Sequence, residues 1–386
     1  MSLVDVLDTH RVVVCVGSGG VGKTTTAAAL AVHAACGGQR VLCLTIDPAR
    51  RLANSLGLSE MTTEEQEVAP EVFAEYGLEC TGRLSAMMLD TKRTFDDLVT
   101  RNASSPEARD RILSNRLYQY ISTSLAGTQE YMAMEKLHSV HHDRRFDLVV
   151  LDTPPTANAL DFLDAPERLI NAIDSPAMRW FVQAFQGAGK LSLGLVGKGA
   201  AYLIRGLAKF TGIGFLEQVA EFVTGINELF GGFRDRANAV AADLRGEDVA
   251  FVIVTSPSPL NVEEAVFFDQ RLREAGMAID AFVLNNVHPL LPEPNATDEA
   301  LRAELAQALG EDVDVDRAFG RMQQALDDER VLAVADRIEA ERLQAQAGDA
   351  SRFVQVPAFE EDVHDLTALA RVARYLTGTS TMEPTG

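Results

Sequence analysis

The residues best equipped for chemistry form one run, Gly17-Ser18-Gly19-Gly20-Val21-Gly22-Lys23-Thr24. A glycine-rich run closing on Lys-Thr suits a polyphosphate. Without a Cβ, glycines let successive backbone N–H groups turn inward and approach the anion closely. Lys23 supplies a point charge for the terminal phosphates, and the Thr24 hydroxyl supplies an oxygen ligand for Mg²⁺. A helix starting at Lys23 adds its free N–H groups and the positive end of its dipole. Such a loop works only when held between a strand and a helix. The apolar run Val12 to Val16 precedes it and Thr25-Thr26-Ala27-Ala28-Ala29-Leu30 follows, which is the context that separates a phosphate loop from an incidental glycine turn.

A phosphate-loop protein also needs a carboxylate near the metal. The strand-like run Phe146-Asp147-Leu148-Val149-Val150-Leu151 closes on Asp152, so Asp152 is the candidate that helps hold Mg²⁺. Thr153-Pro154-Pro155-Thr156 then enforces an extended exit.

The elements positioning these groups follow from periodicity. A helix from about Lys23 to Ala35 stops at Gly37-Gly38, and Arg40 to Ile46 is a short apolar run of the kind found in doubly covered strands. Strand, loop, helix and second strand make a βαβ unit and hence a parallel sheet. Further strands are expected at Leu84 to Leu89, Val249 to Thr255, Ala281 to Leu284 and Arg352 to Val356. Helices are expected from about Lys92, through much of 106–142, over Val262 to Ala275, in the acidic stretch 290–350, and from about Asp362 to Leu376. Residues 59–82 read as an irregular surface excursion. The fold class is therefore α/β, a largely parallel sheet with helices on both faces. The core is expected at 1–164 and 248–376, interrupted by an insertion at 165–247, with a disordered tail at 377–386.

The insertion differs in character from the rest. Between Asp174 and Glu217 there is no acidic residue, while Arg179, Lys190, Lys198, Arg205 and Lys209 are spread through it. Leu216, Val219, Val223, Ile226, Phe230 and Phe233 repeat at helical spacing. It reads either as an ordinary helical subdomain or as a basic, apolar surface for a hydrophobic client or a membrane interface. Gly187-Ala188-Gly189-Lys190 is not a second phosphate loop, because Leu191 follows the lysine and Ala184 holds the first glycine position.

Composition excludes other classes. A net charge of −21 over 386 residues argues against nucleic-acid binding. The 4 cysteines, Cys15, Cys36, Cys43 and Cys80, are widely spaced and read as reduced, largely buried thiols. No C-x-x-C or H-E-x-x-H occurs, and the adjacent His141-His142 read as solvated or capping residues, since neighbours do not face each other on a helix. Neither a basic-then-apolar N-terminus nor a span-length apolar run is present, so a cytoplasmic setting is expected, with peripheral membrane association at most.

The ordered set of motifs resembles the ArsA family, the arsenite-pump and tail-anchored-protein-targeting ATPases of the dimer-activated branch of phosphate-loop proteins. The set comprises the loop at 17–25, Asp47-Pro48-Ala49, Asp152-Thr153-Pro154-Pro155-Thr156, Leu284-Asn285-Asn286 and Val356-Pro357. The resemblance implies Mg²⁺-dependent ATP hydrolysis coupled to opening and closing of a dimer. It implies that Asp47 activates the attacking water, that Asp152 bears on Mg²⁺ and relays nucleotide state, and that Thr25 lies near the α-phosphate. Asn285 would read adenine, with Pro357 flanking the ring, and Gly19, Gly20, Val21, Gly22, Lys23 and Thr24 would cradle the phosphates.

The departures from that pattern carry their own expectations. Ser18 stands where relatives carry a lysine that reaches across the dimer, and loss of such a cationic finger lowers rates by about 10³ to 10⁵. Slow hydrolysis by the chain alone and pairing with a related, lysine-bearing subunit are therefore expected, with a homodimer as the other arrangement. The zinc-bridging C-x-x-C and the metalloid-binding cysteines of relatives have no counterparts, so neither site is expected. Two other readings stay open: a nucleotide-regulated binding module with negligible turnover, and an ATPase subunit of a membrane anion transporter.

Overall fold

Runs of consecutive apolar residues bounded by turns give strands whose side chains alternate between two covered faces. The computed structural model describes residues 2–46, 51–116, 118–119, 122, 128–153, 238–277, 279–292, 296–309, 314–348 and 352–378. Within them lie β1 (Val12–Val16), β2 (Arg40–Thr45), β3 (Gln66–Glu67), β4 (Arg83–Met88), β5 (Leu148–Asp152), β6 (Val249–Thr255), β7 (Ile279–Val287) and β8 (Arg352–Pro357). They form one sheet in the order β3-β4-β2-β5-β1-β6-β7-β8. Every pairing is parallel except β3 with β4, a short antiparallel edge.

Each strand feeds two apolar layers. From β1, Val13 and Cys15 join the layer under helices Lys23–Cys36 and Leu366–Thr377. Val12, Val14 and Val16 join the opposite layer, with residues of helices Thr128–His141, Pro259–Glu274 and Val315–Ala347. An α/β sheet with helices on both faces is thus what the apolar pattern builds. The connection leaving β1 runs toward β2 on one side, and that leaving β6 runs toward β7 on the other. The strand order reverses beside β1, and in such sheets the crevice outside the carboxyl ends at that point receives the ligand.

Some expectations need correction. Residues 59–82 are not a mere surface excursion: they contain β3 and helix Pro70–Glu75, and Val68, Phe73 and Leu78 are buried in the first apolar layer. Periodic apolar positions there are masked by the acidic residues between them. The acidic stretch 290–350 contains helix Asp298–Leu309 and a continuous 33-residue helix, Val315–Ala347. The long helix is fastened to the end of β7, where Asp336 Oδ2 accepts from the His288 backbone N–H and lies 2.7 Å from its ring Nδ1. His142 is exposed and caps the preceding helix through His138 O, as expected, but His141 is largely shielded from solvent: it is half-buried between two aspartates. Asp47-Pro48-Ala49, the segment from Pro154 through Thr156, residues 165–237 and the tail beyond 378 lie outside the described residues.

Packing at the sheet centre sets the stability expected of the site's platform. Phe251 in β6 is fully buried beneath the second layer. Phe251→Ala is expected to cost about 3–5 kcal/mol, the range for truncating a buried aromatic, read as a lower denaturant midpoint.

Candidate functional site

The phosphate loop runs from the end of β1 to the N-terminus of helix Lys23–Cys36, at the crevice where the strand order reverses. Its path needs glycine at defined positions. Gly17 has φ +151°, and a Cβ there would lie 2.0 Å from the Val254 carbonyl oxygen of β6. Gly22, the helix N-cap, has φ +96°, and a Cβ there would lie 2.2 Å from Asn285 Nδ2. Gly20 is also left-handed, φ +79°, but open space surrounds it. The loop is therefore pressed against β6 at one end and against Asn285 at the other.

Lys23 is buried and folds back over the loop, its Nζ donating to Ser18 O (2.6 Å). Thr24 donates from Oγ1 to Asp152 Oδ2 at 2.8 Å. The same oxygen accepts from Thr45 Oγ1 at 3.0 Å. Register explains the convergence: Asp152 pairs with Cys15 of β1 and Thr45 of β2, at the carboxyl ends of three adjacent strands. Thr153 continues the bracing, donating from Oγ1 to Cys15 O (2.8 Å). Burial pushes the Cys15 thiol well above its ordinary pKa; the Asp152 charge and Cys43 add to the rise, and Lys23 opposes it. Burial, then Asp152, raises Cys43 as well. Two neutral thiols thus flank Asp152, in a dry setting where its interactions are strengthened.

Asn285 sits where β7 loses register with β8, between Leu284 and Val287. Asn286 there has φ +60°, a left-handed conformation that asparagine tolerates better than most side chains. This irregularity frees Asn285 from the ladder, and its Nδ2 donates to Val21 O at 3.0 Å. Pro357 ends β8 opposite Val287. Thr25, in the first helical turn, is half-buried.

The structure thus gathers Gly22, Lys23, Thr24, Asp152 and Asn285 around one loop, with Gly19, Gly20 and Val21 forming its arc. Asp47 lies outside the described residues. Thr45 and Glu264 were not singled out from sequence. Thr45 left a signal, a hydroxyl ending an otherwise apolar strand beside Asp47. Glu264, in helix Pro259–Glu274, left none; it accepts a short hydrogen bond from Ser18 Oγ, and Ser18 is only 7% exposed.

A glycine cradle with left-handed φ at Gly17, Gly20 and Gly22 fits a polyphosphate. A hydroxyl and a carboxylate oxygen 2.8 Å apart fit a hard, oxygen-seeking cation. The residues therefore suit a Mg²⁺ nucleotide. In agreement, the family model described as "Anion-transporting ATPase", ArsA_ATPase, matches residues 10–319. The chain belongs to the ArsA ATPase family. It is an ATP-hydrolysing phosphate-loop enzyme. Similar proteins include "ATPase GET3" of Malassezia globosa, 27% identical over 300 residues, or 76% of each chain. "ATPase get3" of Aspergillus terreus is 30% identical over 158 residues, 41% of this chain and 43% of that one. "ATPase GET3" of Mycosarcoma maydis is 27% identical over 157 residues, 41% of this chain and 42% of its own. No helix among the described residues is long and apolar enough to cross a membrane.

The two glycine environments separate clash from simple strain. Gly17→Ala drives a methyl into the β6 backbone and is expected to abolish binding of a fluorescent ATP analogue and lower the melting temperature. Gly20→Ala meets no neighbour, carries only the left-handed penalty of about 1–2 kcal/mol, and is expected to retain measurable binding.

Proposed function

We propose that this ArsA-family ATPase couples Mg²⁺-dependent ATP binding and hydrolysis to the opening and closing of a dimer that handles a hydrophobic client protein or a membrane partner. The observation that carries the nucleotide part is the Thr24–Asp152 pair, at 2.8 Å beside the glycine cradle. In this reading Gly19 to Gly22 present backbone N–H groups to the phosphates and Thr25 lies by the α-phosphate. Lys23 turns from Ser18 O to the terminal phosphates. Thr24 and Asp152 hold Mg²⁺, which when bound neutralises charge on the phosphate oxygens. Asn285 reads adenine and Pro357 flanks it. Asp47 orients and activates the water that attacks the γ-phosphate, and little further covalent help is needed, because positioning and charge stabilisation dominate phosphoryl transfer.

The γ-phosphate would bias the segments after Asp47 and Asp152, and the insertion at 165–247 would read the result as a population shift. That insertion, basic and apolar by sequence, is the proposed client-facing or membrane-facing surface. The core at 1–164 and 248–376 acts in the cytoplasm, with association at membranes through a partner.

Ser18 favours a partner subunit, or else a second reading. Its side chain is tied inward to Glu264 of its own chain. A short neutral group held there cannot reach across a dimer to a second nucleotide. Either a related subunit supplies a lysine at this position, or the chain is a nucleotide-regulated binding module with negligible turnover. An ATPase subunit of a membrane anion transporter is the arrangement in which the partner lies in the bilayer.

Phosphate release by the purified chain separates these. Slow steady-state release is expected from the chain alone, rising by about 10³ or more when a lysine-bearing paralogous subunit is added. Single-turnover hydrolysis should collapse in Asp47→Asn. Unchanged single-turnover hydrolysis in that variant would remove the role assigned to Asp47, and vigorous hydrolysis without a partner would remove the need for one.

A further inference from the structure

The far end of the sheet carries a group of side chains that nucleotide chemistry does not use. Helix Thr128–His141 closes on histidines that its turn brings together: His138 and His142 are four apart and His138 and His141 three apart. The chain entering β6 lays Asp243 and Asp248 against them. One oxygen, Asp243 Oδ2, lies 2.5 Å from His138 Nδ1, 3.4 Å from His141 Nδ1 and 3.6 Å from His142 Nδ1. The cluster borders Val12, Leu137, Leu244 and Val249, at the amino-terminal ends of β1 and β6. It is therefore on the opposite edge of the sheet from the phosphate loop.

Proton placement shows what this group lacks. His141 Nε2 lies 2.7 Å from Asp248 Oδ2, and a carboxylate can only accept, so the ring hydrogen sits on Nε2. The other ring nitrogen of His141, Nδ1, lies 3.4 Å from Asp243 Oδ2. Likewise His142 Nδ1 donates to His138 O at 3.0 Å, leaving a lone pair on its other nitrogen. The cluster thus brings two aspartates to three imidazoles, each with a ring nitrogen able to bind a cation.

We propose that His138, His142 and Asp243 bind a single borderline divalent metal ion of the Zn²⁺ class, with His141 as a further donor held in orientation by Asp248. The ligand atoms of His138, His142 and Asp243 all lie within 4.8 Å of one another. On a tetrahedral ion with bonds of about 2.0–2.1 Å, two donors stand about 3.3 Å apart. The 3.4 Å from Asp243 Oδ2 to His141 Nδ1 matches that value, and His142, whose Nδ1 is engaged by His138 O, offers its other ring nitrogen. Only the direct His138–Asp243 contact, at 2.5 Å, has to open. Imidazole nitrogens with one carboxylate select this class over Mg²⁺ or Ca²⁺, which take oxygen ligands. The Asp248–His141 pair is the kind of carboxylate–histidine support that orients metal-bound imidazoles. Because helix Thr128–His141 precedes β5 and Asp243 precedes β6, a bound ion would fasten together the chain on both sides of residues 154–237.

The test uses the full chain, stripped with chelator and free of nucleotide and Mg²⁺, with Co²⁺ and then Zn²⁺ alone as probes. Equilibrium dialysis with metal analysis is expected to give about one Co²⁺ per chain, in keeping with the one such cluster among the described residues. Its visible absorption should mark a four-coordinate nitrogen–oxygen site that Zn²⁺ bleaches. His142→Ala removes an exposed ring without disturbing packing and is expected to weaken binding by more than about 10²-fold, beyond the 10- to 100-fold expected for Asp248→Asn. Asp152→Asn, at the nucleotide site, should leave the cobalt spectrum intact. Absence of stoichiometric Co²⁺, or binding that His142→Ala and Asp243→Asn do not change, would overturn the proposal.

Discussion

One buried carboxylate holds this structure's working end together. Asp152 is fully buried at the carboxyl end of the central strand β5, and one of its oxygens accepts from Thr24 of the loop helix and Thr45 of β2. Removing a carboxylate from water is costly unless hydrogen bonds replace the lost solvation. Folding supplies them through side chains from two separate elements, so the position of Asp152 is coupled to that of the loop. Between the thiols of Cys15 and Cys43 the surroundings are dry, which strengthens each of those bonds. The same oxygen that braces the fold is the one suited to a hard cation, so structural order and nucleotide chemistry share an atom.

The sheet order makes the convergence possible. Because β1 lies between β5 and β6, the loop leaving it meets the β5 carboxylate on one side and the β6 backbone on the other. Contact with Val254 O and Asn285 then fixes the loop's two ends. The elements that supply these contacts come from both sides of residues 154–237, so the site forms only when the two parts of the sheet close together. Ser18 adds a local constraint, since its bond to Glu264 turns that position into the body of its own chain.

Much of this was legible in the amino-acid order. The phosphate loop, the strands beside it and Asp152 announce themselves because each is local: a glycine spacing, an apolar run, an acidic residue closing a strand. Two kinds of feature were not legible. Long-range partners are the first: Glu264 has no sequence signal of its own, because a single carboxylate on a helix reads as surface, and Thr45 leaves only a faint one, a hydroxyl ending an apolar strand. The histidine cluster was hidden for a related reason. The adjacent pair His141-His142 draws attention, yet the helix makes His138 their neighbour, and only the fold brings Asp243 and Asp248 to them. Residues 59–82 failed differently: acidic residues interrupt the apolar positions that bury Val68, Phe73 and Leu78, so the pattern looked irregular.

The account stands or falls on Asp152 serving as the link between the loop and the metal-bound nucleotide. The direct measurement is a Mg²⁺ titration of ATP-analogue binding by the wild-type chain and by Asp152→Asn, which keeps the shape and removes the charge. The wild type should bind the analogue more tightly as Mg²⁺ is added, while the variant should bind it with an affinity that Mg²⁺ barely changes. An identical Mg²⁺ dependence in the two proteins would contradict the account.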